Sequence, residues 1–239
     1  MTLQHRGPLA TGTLRSAVAR VVSSQALFAG LVLSVTACGG GTTANPTPPT
    51  PPSRSTLVPS TTGGFLEART SQITQNGTAP AAVFDDFTFT SAATVRTVAW
   101  QGIFCVETPG AAAPAPTASA FTVSIYPDVA GRPNIAAPVQ TSTYPLAQAN
   151  QVFEKNQAGL VCGTAANTTW PFYRYSVTLA TPFNAVVGAR YWISIQATTP
   201  SYAVFYGWRD GTVDNRLSLQ LFQGTYTTFN VDRAYALNP

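Results

Sequence analysis

Apolar and polar residues alternate one by one in several stretches of this chain, and no other feature limits its fold as strongly. In the first stretch, Phe121, Val123 and Ile125 alternate with Thr122, Ser124 and Tyr126. A period of two sends successive side chains to opposite faces of a β-strand, so one face enters a core and the other meets solvent. The stretches that share this period are 121–126, 175–179, 191–196 and 217–222.

Turn-forming residues separate these stretches from several weaker strand candidates. Pro127-Asp128, Thr181-Pro182 and Asp210-Gly211 are typical of turns. Only 146–158 has a composition that favours a helix. Eight or nine short strands predict an all-β fold, a single antiparallel β-sandwich of jelly-roll type, over residues 65–239. The weaker strand candidates are 84–90, 95–106, 202–206 and 226–235.

The composition agrees with a folded β domain. Charged residues make up 9% of the chain and hydrophobic residues 45%. Abundant Thr, Val, Tyr and Phe suit twisted antiparallel strands better than helices. A disordered chain would need more charge and fewer aromatic residues.

Residues 1–37 have the features of an export signal. Arg6, Arg15 and Arg20 are the only charged residues before position 54, and an apolar run at 26–35 follows them. This order is typical of a secretory signal, and the run is shorter than the about 20 residues of a transmembrane helix. Removing the signal leaves ten Lys and Arg against nine Asp and Glu, a net charge of +1. We therefore expect no basic surface for nucleic acid.

The sequence Val35-Thr36-Ala37-Cys38 closes this signal and resembles the lipobox of bacterial lipoproteins. The resemblance implies that Cys38 becomes the lipidated first residue of the mature chain, held at the membrane by acyl chains such as palmitate. Cys38 is followed by Gly39 and not by an aspartate. Under the retention rule of lipoproteins of this type, this residue implies the outer membrane of the cell envelope. Two alternatives stay open, namely ordinary cleavage that leaves Cys38 unmodified, and a translation start downstream of Met1.

Residues 38–64 are predicted to be a linker, because they are rich in Gly, Thr and Pro and include six prolines between positions 46 and 59. Proline-rich chain extends by about 3.1 Å per residue, so this linker would hold a domain on the order of 40 to 70 Å from the membrane. A proline-rich ligand for a partner domain is the alternative.

The three cysteines fit an exported protein. An odd thiol in such a protein needs an explanation, and lipidation of Cys38 supplies one. Cys105 and Cys162 remain, and a disulfide is their expected state in an oxidising compartment. A reactive or metal-binding pair is the alternative, although neither cysteine lies in a C-x-x-C motif.

The mature chain lacks the residues that most common enzyme mechanisms require. His5 is the only histidine and lies in the signal, which excludes Ser-His-Asp catalysis and His-ligated zinc from the mature chain. No G-x-S-x-G elbow or glycine-rich phosphate loop is present. Glycosidases need two facing carboxylates, and no pair among the nine acids is singled out. We expect a protein that is not an enzyme.

Several spaced motifs resemble a β-sandwich module found in many exported bacterial proteins. The resemblance covers about 83–222, implies export and a sandwich fold, and carries no catalytic residues. The motifs are Asp85-Asp86-Phe87, Trp100-x-Gly102, Phe121-x-Val123-x-Ile125-Tyr126-x-Asp128-x-x-Gly131-x-Pro133, Tyr175-x-Val177-x-Leu179-x-x-Pro182-Phe183 and Gly188-x-Arg190-Tyr191-Trp192-Ile193-Ser194-Ile195.

Two groups of residues are candidates for a binding site. Calcium takes carboxylate ligands from loops, although Asp in a turn commonly caps its own backbone. Exposed Trp and Tyr offer flat platforms to sugar rings, although aromatic residues in sandwiches commonly pack in the core. The candidate calcium ligands are Asp85, Asp86, Asp210 and Asp214, and the candidate platform residues are Trp170, Tyr173, Tyr206 and Trp208.

These features favour a surface-displayed envelope lipoprotein whose sandwich binds a glycan or a protein without catalysis. Calcium is the one candidate cofactor, and the partners expected are the membrane, through the lipid, and a carbohydrate or envelope protein. A structural or adhesion component with no small ligand is the alternative hypothesis. A glycoside-active enzyme ranks third.

Overall fold

The structure, a computed structural model, describes residues 53–57, 68–74, 80–106, 115–162, 165–201, 203–212, 214–215 and 217–239, and at 158–162 and 165–168 it describes the backbone alone. The predicted signal peptide, Cys38 and most of the predicted linker lie outside these residues. Within them, no helix has the length and apolar character needed to cross a membrane.

The described residues form fifteen β-strands and one short 3-10 helix, Leu146–Gln148. This secondary-structure content confirms the prediction of an all-β protein. The strands are β1 (Arg54–Ser55), β2 (Ala68–Thr70), β3 (Gln72–Thr74), β4 (Ala81–Thr88), β5 (Ala93–Cys105), β6 (Ala120–Val129), β7 (Arg132–Pro133), β8 (Gln140–Pro145), β9 (Asn150–Cys162), β10 (Ala165–Ala185), β11 (Arg190–Thr199), β12 (Phe205–Arg209), β13 (Ser218–Phe222), β14 (Thr225–Phe229) and β15 (Tyr235–Asn238).

The first sheet is built around the long strand β5. One edge of β5 pairs with β15 and then with β12, while the other edge pairs with β10, which in turn pairs with β9. Strand β1 extends this sheet beyond β15, and β2 extends it beyond β12. All of these pairs are antiparallel.

The second sheet is built around β11. One edge of β11 pairs with β6, and the other pairs with β4 and then with β3. Strands β13 and β14 continue the sheet beyond β4, whereas β7 and β8 pair with β6. The β3–β11 pair is parallel, so the prediction of a purely antiparallel sandwich is wrong at this one pair.

The two sheets are curled and pack together as in a β-sandwich, with the main core between them. The period-two stretches behave as predicted in β6 and β10, where Phe121, Val123, Tyr175 and Val177 all enter this core. Burial of one face per strand at about 25 cal/mol per Å² of apolar surface is the main stabilising contribution.

Strand β13 differs from its prediction, because its leucines face away from the main core. Leu219 packs with Phe84 and Trp192 in a separate cluster, which we call the outer cluster. Neighbouring Val83 of β4 belongs to the main core, so the outer cluster lies on the opposite face of the second sheet. Apolar residues therefore cover both faces of this sheet.

Two further sequence predictions differ from the structure: the type of element at 146–158 and the start of the folded domain. The stretch 146–158 is a short 3-10 helix followed by β9, because pairing with β10 outweighs its weak helical composition. The folded domain also begins before position 65. Strand β1 pairs with β15, and the Thr56 hydroxyl donates to the carbonyl of Arg233 at 2.5 Å.

Candidate functional site

The predicted aromatic platform does not exist as a shared surface. Trp170, Tyr206 and Trp208 are completely buried, and only Tyr173 is partly exposed. Tyr206 and Trp208 lie in the main core, whereas Trp170 packs on the opposite face of the first sheet with Phe172. The prediction is wrong because the pattern of alternation does not reveal which face of a strand another element covers.

Trp208 has a structural position inside the sandwich. Its indole N–H donates to the carbonyl oxygen of Ala234 at 3.0 Å, and its ring meets Tyr235 edge-on at 5.9 Å between centroids. A buried tryptophan commonly finds such a partner for its single polar atom. Trp208 therefore joins β12 to the segment that enters β15.

The predicted calcium set is divided between two places. Asp85 and Asp86 are consecutive in β4 and point to opposite faces of the second sheet. Asp85 is buried, accepts the backbone N–H of Arg233 and lies near the ion pair that Arg233 makes with Asp210. Among the described residues, no three Asp, Glu, Cys or His side chains are close enough to hold a metal ion. The four aspartates therefore do not form the predicted calcium site.

Burial dominates the chemistry of Asp85. It raises the pKa of this carboxyl well above its usual range, and Asp232 raises it further, while the bond from Arg233 and the charges of Arg54 and Arg233 oppose the shift. A carboxylate kept from water is costly unless it is paired. Asp85 thus belongs to the interior of the sandwich.

Asp86 and Asp214, by contrast, line one open cleft of about 370 Å³, which we call the charged cleft. The Asn215 amide donates to Oδ1 of Asp86 at 2.8 Å. Arg190 Nε lies 3.6 Å from Oδ2 of the same carboxylate. Asp214 pairs with Arg54. The lining is completed by Thr88 and Leu217.

The charges in this cleft are balanced. Burial raises the pKa of Asp86, and the bond from Asn215 and the charges of Arg190 and Arg54 oppose that effect. Two guanidinium groups face two carboxylates here, so the cleft offers hydrogen-bond donors and acceptors without a large net charge. Arg190 and Asp214 are each about half exposed, at 45% and 49% of their side chains, and remain accessible to a ligand.

Arg54 is the best-anchored residue of the charged cleft. Its Nε donates to the Tyr235 hydroxyl at 2.9 Å and its Nη2 donates to the carbonyl of Asp86 at 3.0 Å. Burial alone would lower the pKa of Arg54, but Tyr235, Asp214 and Asp85 outweigh it and raise that pKa. Arg54 therefore remains a fixed cation that joins β1, β4 and β15.

A second cleft, of about 350 Å³, adjoins the first, and we call it the hydroxyl cleft. The two clefts share Arg54, Thr88 and Asp214. Hydroxyl side chains supply most of its other polar groups. The residues that line it apart from those three are Ser53, Ser55, Thr56, Phe89, Thr90 and Thr212.

Sequence reasoning found two residues of the charged cleft and missed the others. Arg54 lies within the predicted linker, and no motif of the sequence points to Asn215. One signal was available for Arg54, because it is the first charged residue after Arg20.

The two cysteines lie on strands that border the same neighbour. Cys105 ends β5 and Cys162 ends β9, and both strands pair with β10. Cys105 is buried, while the side chain of Cys162 lies outside the described residues. The disulfide between them stays a prediction.

A comparison with protein families gives one match. The model of a family described as "Domain of unknown function (DUF7901)" matches residues 59–225. No curated protein and no solved structure matches the chain. Asp86, Arg190, Asp214 and Asn215 of the charged cleft lie within the matched range, and Arg54 precedes it.

Proposed function

This chain belongs to the DUF7901 family, described as a domain of unknown function, and we propose that its β-sandwich is a binding module that holds a glycan or a protein without catalysis. The charged cleft is the proposed site. The observation that carries the proposal is the set of contacts around Asp86, where Asn215 and Arg190 approach one carboxylate from an open cleft.

The mode of binding follows from these contacts. Ligand hydroxyl or amide groups would bind the exposed side chains of Arg190 and Asn215, whose positions are set by their contacts with the buried carboxylate of Asp86. Side chains ordered before binding lose less conformational entropy when a ligand arrives. The volume of the cleft lies at the lower end of the about 300 to 1,000 Å³ that is usual for ligand pockets.

The proposal includes display on the cell envelope. Cys38 would carry the lipid, and the linker would hold the sandwich, which we propose to be of jelly-roll type, away from the outer membrane. Mass spectrometry of the mature amino terminus tests the anchor directly. We expect a diacylated or triacylated Cys38, and an unmodified Cys38 in the membrane-extracted protein would contradict this part of the proposal.

Binding is tested on the purified mature protein with a glycan array and a thermal-shift screen that also includes envelope extracts fractionated by size. We expect a saturable ligand whose binding is lost in Arg190→Ala. The matched control is Arg96→Ala, because Arg96 is an exposed arginine of β5 that does not line the cleft.

The outcomes separate the hypotheses. A ligand lost in Arg190→Ala and kept in Arg96→Ala supports the binding module. A ligand kept in both variants would move the site elsewhere. The absence of any saturable ligand would favour the alternative, a structural or adhesion component of the envelope.

A further inference from the structure

The charged cleft and the hydroxyl cleft adjoin each other, because three residues line both of them. Arg54, Thr88 and Asp214 line each of them. The Arg54–Asp214 ion pair therefore stands at their common boundary. A ligand longer than one cleft would pass over this ion pair to reach the other.

The two clefts differ in chemistry in a way that fits one kind of ligand. The hydroxyl cleft is lined by short hydroxyl side chains and by Phe89, which is almost fully buried and forms part of the wall. The charged cleft has equal numbers of arginines and aspartates at its lining. Neither cleft has the excess of cations that recognition of an acidic polymer requires.

We propose that the two clefts are consecutive subsites for one linear, uncharged oligosaccharide that crosses the Arg54–Asp214 pair. The inference rests on the proposed function and names its ligand class. A neutral sugar chain presents many hydroxyl groups, which donate and accept hydrogen bonds and suit both the ionic groups of one cleft and the hydroxyls of the other.

Arg54 has a particular role in this arrangement. It comes from β1, which lies within the stretch 38–64 that the sequence predicts to be a linker, and it bonds to Tyr235 and to the backbone of Asp86. These contacts hold the guanidinium still at the point where the two subsites meet. Arg54 and Asp214 therefore face the middle of the bound chain, and residues of the two clefts face its ends.

The test measures affinity against chain length by calorimetry on the mature protein. The probes are cello-, manno- and xylo-oligosaccharides of two to six sugars, with oligogalacturonides of the same lengths as acidic counterparts. We expect a neutral series whose affinity rises about tenfold or more between two and five sugars, which corresponds to one filled cleft and then two. We also expect this affinity to change little with salt, since no counter-ions are released.

Two variants, one in each cleft, and a control variant outside the clefts assign the subsites. Thr90→Trp places a bulky ring at the hydroxyl cleft, and we expect it to remove the about tenfold gain in affinity of the longer chains over the disaccharide. Thr178→Trp is the control and should bind like the wild type, because Thr178 is an exposed residue of β10 that lines neither cleft. Arg190→Ala should weaken chains of every length.

Each other result overturns the inference, and the pattern shows whether the proposed function falls with it. Equal affinity for short and long chains, with loss in Arg190→Ala, keeps the binding module and removes the two-cleft ligand. Binding of oligogalacturonides alone removes the uncharged ligand. Silence toward every probe removes the oligosaccharide, and the proposed function then depends on a protein ligand in the envelope fractions.

Discussion

The indole N–H of Trp192 donates a hydrogen bond of 2.7 Å to Oδ1 of Asp128. The second oxygen of the same carboxylate accepts the backbone N–H of Gly131 at 3.2 Å. Gly131 has a φ of +79°, a conformation that glycine adopts without steric cost. Asp128 therefore closes the turn between β6 and β7 and fastens it to Trp192 in the outer cluster, which gives a physical reason for the Asp128-x-x-Gly131 spacing.

Replacing Asp128 should loosen this turn. Hydrogen bonds to charged groups contribute about 1.5 to 3 kcal/mol each, and Asp128→Ala removes two acceptors and leaves the buried Trp192 indole without its partner. We expect a loss of about 3 kcal/mol in the free energy of unfolding, the lower end of the sum for two such bonds, measured by urea denaturation followed by tryptophan fluorescence. Asp128→Asn keeps the Oδ1 acceptor and should lose clearly less. Equal stability of Asp128→Ala and the wild type would contradict the assignment.

Gly102 should tolerate no side chain, because Tyr206 lies across it. A Cβ atom at Gly102 would be 2.5 Å from Cε2 and 2.6 Å from the hydroxyl oxygen of Tyr206. Overpacking of a dense core costs about 1 to 3 kcal/mol, and we expect a loss of this size in thermal unfolding of Gly102→Ala. In a Tyr206→Leu background the same substitution should cost much less. An equal cost in both backgrounds would place the strain elsewhere.

Trp208 should matter for stability, since it is buried. Removing a buried tryptophan costs about 3 to 5 kcal/mol through lost burial and the cavity left behind, so we expect Trp208→Ala to reduce the free energy of unfolding by that amount. Phe222→Ala is the control, because 46% of that side chain is exposed, and it should change stability by no more than about 0.5 kcal/mol. A stable Trp208→Ala variant would show that the ring is not in the core.

Asp85 should make stability depend on pH. Its pKa in the folded state is raised above the unfolded value of about 3.9, so the folded protein holds this proton in a pH range where the unfolded chain has released it. The contribution of Asp85 to stability is then full below about pH 4 and is lost as pH rises through its folded pKa. Asp85→Asn removes the ionisation while keeping an oxygen acceptor for the Arg233 N–H.

The measurement compares wild type and Asp85→Asn from pH 4 to pH 8 by chemical denaturation. We expect the stability of Asp85→Asn relative to wild type to increase with pH over this range. Parallel profiles would contradict the assignment, because they would mean that Asp85 ionises equally easily in both states.

The proposed state of the three cysteines predicts the number of free thiols in the protein. With Cys38 acylated and Cys105 bonded to Cys162, denatured but unreduced mature protein should contain no titratable thiol. Reduction should lower the free energy of unfolding by about 4 kcal/mol, as expected for a long closed loop in the chain-entropy model. Two free thiols before reduction would exclude the bond, and a matched Cys105→Ala variant should expose one thiol if the bond is present.

Prediction from sequence succeeded where the signal is local. Alternation in 121–126 correctly identified β6 and the side chains that face the core, because the two-residue period of a strand depends only on its own backbone. The helix proposed at 146–158 failed for the opposite reason. Its residues pair along β10, and this long-range pairing outweighs a weak local preference.

Only part of the charged cleft could be predicted from the sequence in this way. The sequence predicts Asp86 and Asp214 as calcium ligands, because calcium takes carboxylate ligands from loops, whereas the structure places them beside arginines. Their neighbours Arg54 and Arg190 come from distant strands, and opposite charges at short range change what a carboxylate can do. A single sequence contains no measure of that distance.

By itself, the sequence determined that the chain forms β-strands and which side chains of each strand share a face, since both depend on neighbouring residues along one backbone. Only the tertiary structure decided which faces are covered. The leucines of β13 lie in the outer cluster, Trp208 turns inward, and Arg54 joins Asp214 across a cleft. The physical reason is that burial and charge pairing arise between segments far apart in the chain, and strand order sets which of them meet.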